Sequence, residues 1–388
     1  MTVPLAILDL SPISAGCDAA SALRSTVDLA RHAELWGYRR YWVAEHHFVA
    51  VAGSNPAVLI GQIAAATERI RVGAAAVQLG YTTAVAVVES FGILDAFHPG
   101  RIDLGLGRSG QRRREAEQSS SAEPRTQNVR NSLGGSSLNG IPPQQDWREI
   151  DGVVVPPPFD TRTLLASPRM RALATILTQP QALAPDFAEQ VDDILALLDG
   201  THTAGGFPVH AVPGEGTGLT PWIFGSSKGQ SAAVAGARGL PFVASYHSTP
   251  GSALEAVEAY RAVFTPSPTL PEPYVVVSAD VVVADDTATA RHLAAPYGHW
   301  VYSIRAHGGA VPYPDPDDCP PLTDEQRAVV SDRIATQFVG DADEVADKLS
   351  ALQRVTGADE LVVTTATYRH ADRLRSHELL AKRWGLPS

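Results

Sequence analysis

The chain has 388 residues, 44% of them hydrophobic, so it can bury a large core and does not read as a disordered polymer. Its net charge of -11 argues against a nucleic-acid or anionic-membrane surface and leaves a small-molecule site open. The two cysteines, Cys17 and Cys319, cannot build a disulfide framework, which fits a reducing, cytoplasmic setting.

The N-terminal stretch MTVPLAILDLSPISAGC carries a faint lipoprotein-like SAGC. No Lys or Arg precedes Cys17 and Asp9 interrupts the apolar run, so no signal is expected there. No apolar stretch reaches the roughly 18 residues of a spanning helix. In chain order, VPLAILDL reads as a strand and ASALRSTVDLARHAELWG as a helix stopped at Gly37. RRYWVAEH is strand-like again, PAVLIGQIAAATERI helical, RVGAAAVQL a strand, AVAVVESFGILDAFHPG a helix and RIDLGLG a fourth strand. These strands are short and apolar enough to be buried on both faces.

The alternation breaks at about 109–182, a segment rich in Gln, Ser, Arg, Pro and Gly, expected as an irregular, partly mobile insertion without a core of its own. PPPF, Pro156 to Phe159, cannot be helix interior. Alternation resumes with the helix DFAEQVDDILALLDG. PWIFGSS, PFVASYH and YVVVSADVVVAD then read as strands, with SAAVAGARG and GSALEAVEAYRAVF as the helices between them. TATARHLAAPYGHWVYSI reads as one helix, and a second loop excursion covers about 306–322. ADEVADKLSALQRVTG is a helix, ADELVVTTATY the eighth strand, and a last helix runs to Trp384. The alternation predicts a single domain, 1–388: a (β/α)8 TIM barrel with inserted loops. A doubly wound open sheet is the alternative that periodicity leaves open.

In such a barrel the active site lies at the C-terminal strand ends. Those ends carry Asp9, Glu45-His46-His47, Ala75-Ala76, Gly107-Arg108, Gly225-Ser226-Ser227, Ser245-Tyr246-His247, Ser278 with Asp280, and Thr364-Thr365. Small and polar residues converge with two histidine sites, as a pocket for a flat cofactor requires. Adjacent strand residues point to opposite faces, so His46 and His47 are poorly placed to share an ion, and no metal site is expected. The competing reading of these histidines is structural, one ring buried and hydrogen-bonded.

Gly105, Gly107 and Gly110 in LGLGRSG match GxGxxG after a strand. No following strand ends in an acidic residue about 20 positions on, so these glycines read as sites of close approach by a backbone or ligand. Arg108 at a strand end, opposite Ser226 and Ser227 at a helix start, is a reasonable phosphate grip; an ordinary ion pair is the rival. RRRE, Arg112 to Glu115, reads as a solvated face, Lys228 as an exposed lysine, and GHW, Gly298 to Trp300, as packing.

At WVAEHHF, PAVLIGQIAAATERIRVGAAAVQL, FHPGRIDLGLGR, GSSKGQSAAVAGARGLPFVASYH and FVGDADEVADKL…TGADELVVTTATY, the sequence resembles the bacterial luciferase-like monooxygenases. The resemblance implies a barrel, usually dimeric, that binds a flavin or a related deazaflavin. It matches His46 to the family's proton-transfer histidine, with Glu45 and His47 as its supports. It places a non-prolyl cis peptide at Ala75-Ala76 beside the isoalloxazine ring, and the phosphate on Arg108, Ser226 and Ser227. Gly107 stands where luciferase carries a cysteine, so no reactive thiol is expected. Around these, Gly225 completes the cofactor-binding set. The chain departs from the family in the long segment after GLGR and in VQLGYTTAVAV, which lacks the usual LP and following proline.

The reading that follows is a monooxygenase using reduced FMN and O2 in peroxyflavin chemistry on a small organic substrate. No NAD(P)H site is visible, which favours a separate flavin reductase. The alternatives are F420-dependent hydride transfer and a non-catalytic flavin-binding protein.

Overall fold

The computed structural model describes residues 3–108, 146–160, 167–179, 182 and 185–387. Eight parallel strands close into a barrel in sequence order. They are β1 (Leu5–Asp9), β2 (Arg40–Val43), β3 (Arg71–Ala74), β4 (Ile102–Gly107), β5 (Pro221–Gly225), β6 (Phe242–Ala244), β7 (Val275–Val283) and β8 (Glu360–Thr364). Closure is direct. Pro221 of β5 pairs with Leu104 of β4, and Leu5 of β1 pairs with Leu361 of β8. An open doubly wound sheet has no such pairings, so that alternative falls.

The barrel interior is filled by side chains rather than open. Trp42, Trp222 and Phe224 meet edge-to-face in its middle, with ring centroids 5.5 and 5.2 Å apart. Glycines on the neighbouring strands make room for them. A Cβ on Gly73 would lie 2.5 Å from Trp42, and one on Gly105 would lie 1.8 Å from the Ala74 carbonyl oxygen. Gly105 therefore serves close approach by a backbone and a ring, as the sequence suggested for these glycines.

Below the aromatic layer the floor is ionic. Arg40 lies 3.1 Å from Asp103 and 3.3 Å from Glu360, and Arg71 reaches Asp103 at 2.6 Å. The Tyr274 hydroxyl donates to Glu360 at 3.1 Å, and the Arg40 guanidinium lies 4.6 Å from the Trp222 ring centre. The partners compensate one another, which is what makes such a buried charge set tolerable.

The outer helices follow from apolar stripes and caps. They include α1 (Ala19–Leu35), α2 (Pro56–Ala66) and α3 (Ala84–Phe97), with Asp18, Asn55 and Thr83 as N-caps whose side chains accept from the first turn. In the segment expected to be irregular, the described residues form an antiparallel hairpin, Arg148–Ile150 with Val153–Val155, and helix α4 (Pro168–Leu177). Asp151 and Gly152 both have positive φ, 47° and 80°, the backbone that a tight two-residue hairpin needs. Tyr246 pins the hairpin by donating to the Val154 carbonyl at 2.7 Å. PPPF is non-helical, and Pro156 to Pro158 press on Gly251, where a Cβ would lie 2.5 Å from the Pro156 oxygen. RRRE and the Gln/Ser-rich stretch around it lie outside the described residues.

Further on come α5 (Phe187–Leu198), α6 (Gln230–Ala237) and α7 (Pro250–Ala262). The helix expected over TATARHLAAPYGHWVYSI is two, α8 (Thr287–Ala294) and α9 (Tyr297–His307), divided at Pro296. After the second loop, α10 (Asp324–Thr336) and a short strand, Phe338–Gly340, were not anticipated. That strand pairs with the far end of β7, Val281 with Phe338, and so extends the wall above the mouth. α11 (Ala342–Thr356) and α12 (His370–Trp384) complete the ring. Among the described residues no helix is long and apolar enough to cross a membrane.

Candidate active site

A cavity of about 250 Å³ opens at the C-terminal ends of the strands. Leu8, Leu10, Ala44, Val243 and Val362 give it an apolar wall. His46, Ala75, Ala76, Gly107, Arg108, Gly225 and Ser226 all line it, so the strand-end reading of the sequence converges on one pocket. Ser227 does not line it. It lies one residue on, near the N-cap of α6: a Cβ placed on Gly229 would be 3.5 Å from Ser227 Oγ and 3.7 Å from Arg108 Nη1. The guanidinium, the hydroxyl and the first turn of α6 thus approach one point. At the other side the Ala75-Ala76 peptide is cis, and a Cβ on Gly107 would sit 3.2 Å from the Ala76 methyl.

His46 is placed by its backbone N–H, which donates to the Gly53 carbonyl at 2.8 Å. Its ring opens onto the cavity and makes no hydrogen bond among the described residues. Desolvation at the strand ends, then the adjacent His47, push its pKa down to about 4, although the side chain is still open to the cavity mouth. At neutral pH the ring is therefore uncharged. Glu45 and His47 do not support it directly. Glu45 Oε1 lies 2.9 Å from His47 Nε2, while Glu45 Oε2 accepts from the Gln78 N–H at 2.9 Å. His47 faces a neighbouring cleft lined by Ser54, Asn55 and Tyr81. The carboxylate orients the wrong histidine for the role expected of it.

A second histidine faces the same cavity. His247 Nδ1 lies 2.6 Å from Ser278 Oγ, and its backbone N–H donates to the Ser278 carbonyl at 3.0 Å. Burial, then Arg333 and His46, hold its pKa down at about 3. Two residues along β7, Asp280 accepts from Gln337 at 3.1 Å and lies 4.0 Å from Arg333; burial raises its carboxyl to about 6. His247, Ser231 and Ser278 were seen from sequence only as strand-end or helix residues without a role. Arg333 gave no signal because it sits on a helix that the sequence pattern did not reveal. Trp300 of GHW is buried among Tyr297, Val301 and Tyr313, the packing role expected, and Lys228 pairs with Glu255 at 3.1 Å away from the mouth. Among the described residues, no three metal-ligating side chains gather at one point.

This donor set suits a phosphate-bearing planar group. A guanidinium, hydroxyls and a helix N-terminus favour a dianion at one end. Ala75, Ala76, Gly107 and the apolar wall bound the other end. A closed (β/α)8 barrel with such a mouth is that of an oxidoreductase. The chain belongs to the luciferase-like monooxygenase family, whose model matches residues 3–133 and 180–360. It is 34% identical over 382 residues to the protein YvbT of Bacillus subtilis (strain 168), covering 98% of this chain and 96% of that one. It is 31% identical over 380 residues to a luciferase-like monooxygenase of Escherichia coli (strain K12), covering 97% and 96%. The crystal structure of apo-MsnO8 superposes with a TM-score of 0.73 at 27% identity, covering 100% of this chain and 98% of that chain.

Proposed function

We propose that the protein is a monooxygenase that binds reduced FMN, delivered by a separate reductase, and inserts one atom of O2 into a small organic substrate. The observation that carries this reading is the two-ended mouth: Arg108 and the α6 N-terminus at one side, and His46 with the Ala75-Ala76 edge at the other. Arg108, Ser226 and Ser227 hold the phosphate. Ala75, Ala76, Gly107 and Gly225 bound the ring. Reduced FMN supplies the oxygen-activating chemistry when bound. The chain positions it, excludes water and moves a proton. His46 suits the last task because it is neutral and both ring nitrogens are free to exchange.

The protein acts as a homodimer through α2 and α3 in this reading. Both helices are apolar around most of their circumference, and Val58, Ile93 and Phe97 stand 65%, 49% and 78% exposed.

The test is an anaerobic titration with reduced FMN and, separately, reduced F420, followed by O2. Tight binding of reduced FMN, then a transient absorbance that free reduced FMN does not give, is the expected result. Preferential binding of F420 with no reaction toward O2 would move the protein to hydride transfer. Flavin bound without oxygen chemistry would make it a binding protein. His46→Ala should bind reduced FMN and lose oxygenation; unchanged turnover would remove the proton role.

A further inference from the structure

We propose that His247 is a positioning residue whose Nε2 accepts a hydrogen bond from the ring N–H that a flavin carries only when reduced, so that the mouth selects reduced over oxidised FMN. The inference rests on the flavin reading above.

The argument starts at Ser278. Its hydroxyl has one hydrogen and two lone pairs. It lies 2.6 Å from His247 Nδ1 and 3.3 Å from the Ala244 carbonyl oxygen. A carbonyl can only accept, so the hydroxyl hydrogen goes to Ala244. Both contacts are hydrogen bonds only if Nδ1 carries the imidazole hydrogen and donates to Ser278 Oγ. The backbone fixes the ring further, since His247 N–H donates to the Ser278 carbonyl. A neutral imidazole has one N–H, so Nε2 is left with its lone pair.

Burial and the nearby Arg333 and His46 keep the ring neutral across the physiological range. His247 lines the cavity, and its Nε2 has no partner among the described residues. The result is an acceptor in the mouth: turning Nε2 into a donor by tautomer exchange would reverse the Ser278 bond and give up the bond from Ser278 to the Ala244 carbonyl.

Reduction of a flavin turns the central ring nitrogen from a lone-pair acceptor into an N–H donor. A fixed acceptor attracts the reduced ring and sets lone pair against lone pair with the oxidised one. An enzyme fed by a separate reductase gains from that preference, because it captures the reduced form and releases the spent one. His46, with no fixed tautomer, moves protons; His247 reads the redox state.

Two measurements test this. In the protein without flavin, 15N-histidine NMR at neutral pH should assign His247 to the Nδ1–H tautomer, with the assignment made by loss of the signal in His247→Gln. An Nε2–H tautomer would overturn the proposal. Anaerobic fluorescence titrations should then give dissociation constants for reduced and oxidised FMN with each variant. His247→Leu should weaken reduced FMN roughly five- to tenfold, the span of one hydrogen bond, and leave oxidised FMN nearly unchanged. His247→Gln, which offers a carbonyl acceptor, should recover most of the preference. Ser278→Ala keeps the ring but releases its tautomer, and should fall between. Equal weakening of both forms in His247→Leu, or none, would refute the redox reading. If the wild-type chain binds neither form of FMN, the flavin reading itself fails, and the NMR result separates the two failures.

Discussion

Gly105→Ala is the sharpest test of how the barrel interior is built. The added methyl carbon would lie 1.8 Å from the Ala74 carbonyl oxygen and 2.6 Å from Phe224 Cε2. Neither neighbour is free to yield. Ala74 ends β3, whose pairing with β4 is fixed at Val72 with Ile102 and Gly73 with Asp103. Phe224 is held edge-on against Trp42. Relief requires the two strands to part by about an ångström, which places the cost near the top of the overpacking range, about 3 kcal/mol. Two controls grade the effect. Gly107→Ala meets only the Ala76 methyl at 3.2 Å and should cost under about 1 kcal/mol. Gly218→Ala meets nothing within 4 Å and should be neutral or slightly stabilising, by up to about 1 kcal/mol. Urea unfolding of the three variants gives the free energies. Because Ala74 leads directly into Ala75 at the cavity wall, flavin affinity should fall together with stability in Gly105→Ala and stay unchanged in Gly218→Ala. A Gly105→Ala protein within about 0.5 kcal/mol of wild type would refute this account of the close approach.

Other perturbations address the site and the floor. Arg108→Ala should lose about 2 kcal/mol of FMN affinity, the range of a charge-assisted bond, and leave riboflavin affinity unchanged; equal losses for both would remove the phosphate role. Asp103→Ala leaves Arg40 with Glu360 alone and takes the carboxylate from Arg71, and should destabilise by about 3 kcal/mol in urea titrations. Phe97→Asp, on the exposed face of α3, should abolish the proposed dimer in light scattering with circular dichroism unchanged. Stability should fall on acidification. His247 and His377, both held near 3 chiefly by burial, bind protons less readily folded than unfolded, so below the unfolded pKa of about 6.5 each removes up to about 1.4 kcal/mol per pH unit. His46 adds less because it opens to solvent, and Asp280, raised to about 6, opposes the trend between about 3.8 and 6. A urea midpoint that holds or rises from pH 7 to pH 5 would contradict this sum.

Every barrel strand was legible because each is an apolar run buried on both faces and bounded by Gly, Pro or a charged residue. The hairpin was not, because Arg148 to Ile150 is fully exposed and offers no apolar alternation; only Asp151-Gly152 marked it. α10 was hidden for a related reason. DEQRAVVSDRIAT spreads its few apolar residues among charges, and only the capping box of Thr323 and Gln326 betrayed its start. The split at Pro296 was visible in the sequence and outweighed by the helical pattern on both sides. At the site, chain position sufficed for His46, Ala75, Ala76, Gly107, Arg108, Gly225 and Ser226, since strand ends converge whatever their details. Pairings did not follow from position. Alternation along a strand says that His46 and His47 diverge, but not that Glu45 goes with His47. His247 acquires its role from Ser278, 31 residues away, and no local pattern carries that contact.

The electrostatics of the mouth are asymmetric, and the asymmetry follows from those pairings. The Arg108 guanidinium lies at one end, where hydroxyls and the α6 N-terminus add to its pull on an anion. At the other end His46 and His247 line the cavity; burial and then His47 lower the pKa of His46, while burial, Arg333 and then His46 lower that of His247. A proton on His46 makes protonating His247 harder, and the Glu45 carboxylate lines the same end of the cavity. The lowered pKa of His46 leaves its ring neutral at rest, so it takes up a proton only when its surroundings change.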